Sequence, residues 1–248
     1  MKETRVVAII QARMGSTRLP GKVLRDIVGE TMLAHVVRRT NQASLVNVVV
    51  VATTESQEDD PIIEECSKLQ VPVFRGSTND VLDRYYRAAS KYQAGAVVRI
   101  TSDCPLIDPQ PIDMVIRKYL ESDIDYMALG IEGGFPRGMD IEIFSFTTLE
   151  KTYMEAKKDY EREHVTPYIY HHPDIFKLKF FEGTGKLRRP DLRLTVDTEE
   201  DLRLIREIFK QLYRDGQLFH TEDVIDLLDK HPELVAINAH VVQKELGS

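Results

Sequence analysis

The chain has 248 residues, of which 42% are hydrophobic and 29% charged, and its net charge is −7. That length supports a large buried core, and the acidic balance argues against nucleic acid or an anionic membrane surface as the main partner. The two cysteines, Cys66 and Cys104, lie outside any C-x-x-C pair, so no disulfide framework is indicated and a reducing, cytoplasmic compartment is expected.

No run of apolar residues is long enough to span a bilayer, and the N-terminal apolar stretch is too short for a signal peptide. Short β-branched runs recur at 5–10 (RVVAII), 46–53 (VNVVVVAT), 71–74 (VPVF) and 96–101 (AVVRIT). Each is nearly continuous in apolar residues, as strands buried on both faces are. Helix-period faces lie between them: Met32, Leu33, Val36 and Val37; Ile62, Ile63, Cys66 and Leu69; Val81, Leu82, Tyr85, Tyr86 and Ala89. Strand alternating with helix predicts an α/β fold with an open, mostly parallel, doubly wound sheet.

The second half is less regular. Strands are predicted at 124–129, 140–145, 177–183 and 192–197. Thr147 with Glu150 has the spacing of a capping box, as has Thr198 with Asp201, and Thr221 is the expected cap of a last helix stopped near Pro232. With no linker or repeat in view, residues 1–248 are expected to form one domain with an irregular insertion at about 130–190.

In open α/β sheets ligands sit at the carboxyl ends of the strands, and four stretches occupy such positions. The first, QARMGSTRLPGK (11–22), carries Arg13, Arg18 and Lys22 around Gly15 and Gly21, with no acidic residue. Such a loop suits a triphosphate, because backbone N–H groups and guanidinium forks converge on anions. It matches neither the P-loop frame nor G-x-G-x-x-G, and a flexible surface loop with solvated arginines is the alternative. The second, RGSTNDVLDR (75–84), offers Arg75, Gly76 and Ser77 to a nucleobase, with Asn79 or Asp80 as helix cap; plain capping with solvated arginines is the alternative. The third and fourth place Asp103 and Asp197 at strand ends. Each alone is compatible with a turn or cap, whereas together, facing a phosphate loop, they suit Mg²⁺. Cys104 has only acidic titratable neighbours and is expected to be a packed residue, not a nucleophile.

Together these stretches resemble the cytidylyltransferases that make CMP-activated acidic sugars, such as the Kdo and acylneuraminate enzymes. QARMGSTRLPGKVL is similar to the opening loop of that family, TSDCPLID and VDTEEDL to its two metal-binding stretches, and GSTNDVLDR, with Asp83-Arg84, to its nucleotide-contacting segment. DCPLIDP, FPRGMDIEIF and EREHVTPYI are similar to the spore-coat polysaccharide branch, SpsF. Two positions depart from the better-known enzymes: Ser102 stands where the Kdo group has Gly, and Thr195 where the neuraminate group has Asp.

The resemblance implies a Rossmann-like sheet of the nucleotidyltransferase type, a homodimer, and CTP and an acidic sugar as substrates. Arg13, Lys22, Asp103 and Asp197 would carry catalysis, with Mg²⁺ on Asp103 and Asp197. Nucleotide would meet Gln11, Ala12, Arg13, Gly15, Ser16, Arg18 and Lys22 of the first loop, and Arg75, Gly76, Ser77 and Asp83 of the second. The sugar would meet Arg137, Asp140 and Glu142 on a glycine-rich candidate lid, and Glu161, Glu163 and His164; a hairpin with exposed charges is the alternative for the first segment. The apolar YMALGI (126–131) is the candidate partner surface. Rival readings are a GT-A glycosyltransferase, which would be expected to show an Asp-x-Asp motif that is missing at the strand ends, and a non-catalytic nucleotide-binding scaffold.

Overall fold

The computed structural model describes residues 4–214 and 217–243. The apolar runs form strands β1 (Val6–Gln11), β4 (Val48–Thr54), β5 (Val73–Gly76) and β6 (Ala96–Thr101); the small hairpin β2 (Asp26–Ile27) with β3 (Glu30–Thr31) follows the basic loop. Helices α1 (Met32–Asn41), α2 (Asp60–Lys68), α3 (Val81–Lys91) and α4 (Pro109–Leu120) make the crossovers. Thr31, Asp80 and Asp108 cap α1, α3 and α4 by accepting a first-turn N–H. The second half adds β7 (Tyr126–Leu129), β8 (Ile141–Ser145), α5 (Phe146–Glu155), α6 (Asp159–His164), α7 (Pro167–Tyr170), β9 (Leu178–Phe180), α8 (Glu199–Leu212), α9 (Thr221–Lys230) and α10 (Pro232–Val235).

The sheet order is β5-β4-β1-β6-β8-β7-β9. All pairings are parallel except those of β8, which runs against both neighbours. Side chains alternate between two cores. Val6, Ala8 and Ile10 of β1 join one cluster with Val49, Val51, Val98 and Ile100, while Val7 and Ile9 join the other with Val50, Ala52 and Val97. Chain order reverses between β1 and β6, so the crevice at their carboxyl ends is the switch point where such sheets bind ligands.

The second half departs from expectation in several places. Segment 130–190 supplies β8, an interior strand, and β9, so it is woven into the sheet. Tyr126–Leu129 lies buried between β8 and β9, which removes it as a partner surface. Residues 192–197 form no strand beyond a single bridge from Arg193 to Arg137. Ser145, not Thr147, caps α5, because its hydroxyl accepts the Thr148 N–H at 2.9 Å. Thr198 and Asp201 form the expected capping box of α8, whereas α9 is capped from His220, one residue before Thr221. The glycine-rich 133–139 stretch is pinned rather than built as a lid: a Cβ on Gly133 would lie 1.7 Å from the Phe181 carbonyl oxygen, and Phe135 and Met139 are buried. Among the described residues no helix is long and apolar enough to cross a membrane.

Candidate nucleotide and metal site

The basic loop is folded, not a flexible turn. Ala12 and Leu19 are buried, and the N–H groups of Ser16 and Gly21 both donate to the Met14 carbonyl. Gly21 has φ +67°, the left-handed conformation that admits glycine most readily, whereas Gly15 faces open space. Arg13, Gly15 and Arg18 are exposed on the loop's outer side, and Ser16 is turned inward to accept the Leu19 N–H.

Asp59, a residue that sequence reasoning missed, fixes this loop to the sheet. One carboxylate oxygen accepts the Met14 N–H at 2.7 Å; the other accepts both hydroxyls of Thr53 and Thr54 and the Thr54 N–H. Burial opposes its charge, but these donors override it and hold the carboxyl below its ordinary value. A depressed acid stabilises the fold above about pH 4, the unfolded value, and that contribution fades as pH falls through the folded value. Asp59→Asn is expected to lose about 1–3 kcal/mol at neutral pH, because an amide cannot serve all four donors. Urea unfolding at pH 7 and pH 3.5 checks this: the gap between variant and parent should narrow at the lower pH.

Lys22, Asp103 and Asp197 converge at the switch point. The Lys22 Nζ donates to Asp103 at 2.8 Å, to Asp197 at 2.9 Å and to the Val196 carbonyl at 2.7 Å. Burial works against the charge of Lys22, but the two carboxylates hold its pKa above the ordinary value. Burial likewise opposes ionisation of Asp103 and Asp197, and the Lys22 ammonium keeps both carboxyls below the usual range. Lys22 therefore sits between the carboxylates, not out on the loop's anion-facing side as expected. Asp197 also meets Arg18 at 2.9 Å and Arg193 at 2.7 Å. Arg193 is in turn held by the fully buried Asp201, which accepts the Asp197 and Thr198 N–H groups.

Three oxygens thus surround one cationic nitrogen. The donor set is hard and anionic, and Mg²⁺ typically takes one or two carboxylates plus phosphate oxygens and water, so these residues fit it. Among the described residues no group of three or more His, Cys, Asp or Glu side chains is arranged to hold a metal, and the remaining ligands would have to come with the nucleotide. Beside this pair Cys104 is buried, and burial and the neighbouring acids push its thiol pKa far up, so it is a packed residue.

The second loop is self-satisfied. Arg75 donates to the Thr54 and Ser56 carbonyls and pairs with Asp60, so its guanidinium staples a turn and is not free for a nucleotide. Ser77 accepts the Asp80 N–H, and Asp83 pairs with Arg87 in its own helix. The residue with unmet capacity is Arg84. It is 2% exposed, and its Nε and one terminal nitrogen find no partner among the described residues. A Cβ on Gly76 would lie 2.8 Å from the Arg84 Cγ, so Gly76 gives room to the aliphatic stem that carries this guanidinium inward. The signal was present as Asp83-Arg84, but the helix pattern made Arg84 look solvated. The side-chain oxygen of Gln11 is also buried and unpartnered.

The residues expected to meet a sugar divide into two groups. Glu142 accepts from Arg99, its cross-strand neighbour, from the Tyr126 hydroxyl at 2.5 Å and from the Thr166 hydroxyl at 2.6 Å. Asp140 accepts the Gly138 N–H and is packed against Gly130, and its burial pushes its pKa up. Glu161 caps α6 through the Lys157 and Lys158 N–H groups. These three carboxylates are committed to the protein. Arg137, Glu163 and His164 remain. Among the described residues no side-chain bond or ion pair engages Arg137; Glu163 is exposed and lies 4.0 Å from Arg13; burial lowers the pKa of His164. Arg162 ties this segment to the second loop by gripping Asp80 at 2.6 Å and 2.7 Å. The backbone after His164 is strained, since Val165 has φ 72° and ψ −53° and the Thr166 N–H closes a tight turn onto the His164 carbonyl.

A family model described as cytidylyltransferase matches residues 7–225. The spore coat polysaccharide biosynthesis protein SpsF of Bacillus subtilis is 34% identical over 233 residues, covering 92% of this chain and 95% of that protein. A cytidylyltransferase structure from Leptospira borgpetersenii superposes with a TM-score of 0.89 at 35% identity, over 98% of this chain and 100% of that one. The fold is also that of a CMP-2-keto-3-deoxy-manno-octonic acid synthetase solved with CTP, at TM-score 0.68 and 19% identity, over 85% of this chain and 100% of that one. The chain belongs to the cytidylyltransferase family and is a nucleotidyltransferase.

Proposed function

We propose that the enzyme transfers CMP from CTP to a hydroxyl of an acidic sugar, releasing pyrophosphate, in the synthesis of a surface or spore-coat polysaccharide. The observation that carries the reading is the meeting of a cationic, N–H-rich loop with the Asp103–Asp197 pair at the switch point of the sheet. In this reading the exposed Arg13 and Arg18 would neutralise the β- and γ-phosphates, and the buried donors of Arg84 would meet the nucleotide. Among the described residues no side-chain partner engages the Arg137 fork, which would suit a substrate carboxylate.

In the transfer, the sugar oxygen forms a bond to the α-phosphorus while the bond to the bridging oxygen of the β-phosphate breaks, and the hydroxyl proton leaves to solvent. Asp103 and Asp197 would hold Mg²⁺, and the ion when bound would supply charge neutralisation and Lewis acidity. The protein's share is positioning and electrostatics; among the described residues no side chain is poised as a general base.

The test is a pyrophosphate-release screen crossing the four nucleoside triphosphates with 2-keto sugar acids and phosphonates, with and without Mg²⁺. Release is expected only with CTP, Mg²⁺ and an acidic acceptor. No release with any pair, alongside tight binding of nucleotide-diphosphate sugars, would overturn the reading in favour of glycosyl transfer.

A further inference from the structure

The ammonium of Lys22 stands where a cation shared by Asp103 and Asp197 would stand. It is 8% exposed and bonded to both carboxylates and to the Val196 carbonyl. The surrounding charge is already balanced. Lys22, Arg18 and Arg193 supply three positive charges, and Asp103, Asp197 and Asp201 three negative ones. A dication bridging the two carboxylates would add two charges to a neutral, partly desolvated assembly and would have to displace Lys22 from between them.

Lys22 belongs to the loop that would receive the triphosphate. Its backbone is fixed, since its N–H donates to the Leu19 carbonyl and Leu19 is buried, but its four-carbon stem can swing without moving the loop. A triphosphate arriving at Arg13 and Arg18 brings several anionic oxygens that compete with the carboxylates for the ammonium.

We propose that Lys22 is a resident counter-ion that keeps the carboxylate pair closed to divalent cations until a triphosphate draws it away, so that nucleotide binding opens the metal site. This rests on the reading of Asp103 and Asp197 as the Mg²⁺ ligands. Nucleotide first, metal second is then the order built into the fold, and the free enzyme does not load metal at rest.

Mn²⁺ binding, followed by the electron paramagnetic resonance signal of the free ion without nucleotide, tests this on the full chain. Lys22→Met is expected to bind Mn²⁺ about tenfold or more tightly than the parent, because a unit charge at contact distance outweighs a decade in affinity. Arg18→Met removes the same charge, but Arg18 touches Asp197 alone and its side chain is 34% exposed against 10% for Lys22, so solvent screens it and the variant should stay within about threefold of the parent. Equal affinity of Lys22→Met and parent overturns the proposal, as does an equal gain in Arg18→Met, which would reduce the effect to net charge. Lys22→Gln, which retains a donor for the carboxylates, gives the same readout if the Met variant does not fold. Lys22→Met combined with Asp103→Asn should lose the gained affinity; if it keeps it, the carboxylate reading itself has failed, a result distinct from the failure of the gate.

Discussion

Asp103→Ala and Asp197→Ala are each expected to abolish Mg²⁺-dependent pyrophosphate release while leaving the protein folded. The two carboxylates are the acidic side chains that meet at the switch point, with one cation between them. Under the proposed function, losing a charge that would hold the metal and offset transition-state charge removes several kcal/mol, or about a thousandfold or more in rate. Stability should respond differently. Each substitution frees Lys22 from one of two carboxylates, so the cost is modest for Asp103, whereas Asp197→Ala also deprives Arg18 and Arg193 of a partner. Thermal melting beside single-turnover kinetics checks both, and wild-type-like turnover in either variant would contradict the two-carboxylate assignment.

Arg84→Met is expected to stabilise the protein and weaken its hold on CTP. Two buried donors of Arg84 have no acceptor among the described residues, and burial lowers its pKa. An unmet buried donor costs about 1–3 kcal/mol, and methionine fills the space of the stem without that demand. The melting temperature should therefore rise by a few degrees, at about 2–4 °C per kcal/mol for a chain of this size. If those donors meet the nucleotide, CTP affinity should fall about tenfold or more, the worth of a charge-assisted hydrogen bond. The opposite signs make the experiment decisive. A variant that melts earlier and binds CTP unchanged would show that Arg84 supports the fold alone.

Local features of the chain were legible wherever the physics is local. The apolar runs became β1, β4, β5 and β6, and Asp80 and the Thr198–Asp201 box cap the helices that their spacing indicates. Tertiary partners were not legible. Lys22 lies 81 residues from Asp103 and 175 from Asp197, and nothing in its neighbourhood distinguishes a lysine facing phosphate from one that bridges carboxylates. Arg75, Asp83, Asp140, Glu142 and Glu161 have the residue types that ligands prefer, yet each is taken by protein groups. Arg84 shows the converse, since a charged residue in an amphipathic helix looks solvated until Gly76 is found resting on it. Segment 192–197 looked like a strand because it alternates Leu, Leu and Val, but it packs these side chains into the core without pairing along a sheet edge.

The reversed direction of β8 has a consequence for how such an enzyme diversifies. Because β8 runs against β6 and β7, the 130–140 connection begins and ends on the same edge of the sheet as the basic loop and Asp103. The half built from β5, β4, β1 and β6 carries the basic loop and Asp103, whereas the β8 side brings Arg137 to that edge by its own connection. Under the proposed function, acceptor preference can be rewritten by changing that connection and the 158–169 segment, while the nucleotide half stays as it is. The scaffold thereby separates what is activated from what activates it, although both acceptor-side segments also carry core residues such as Phe135, Met139, Val165 and Ile169, so new acceptors are reached through their polar positions.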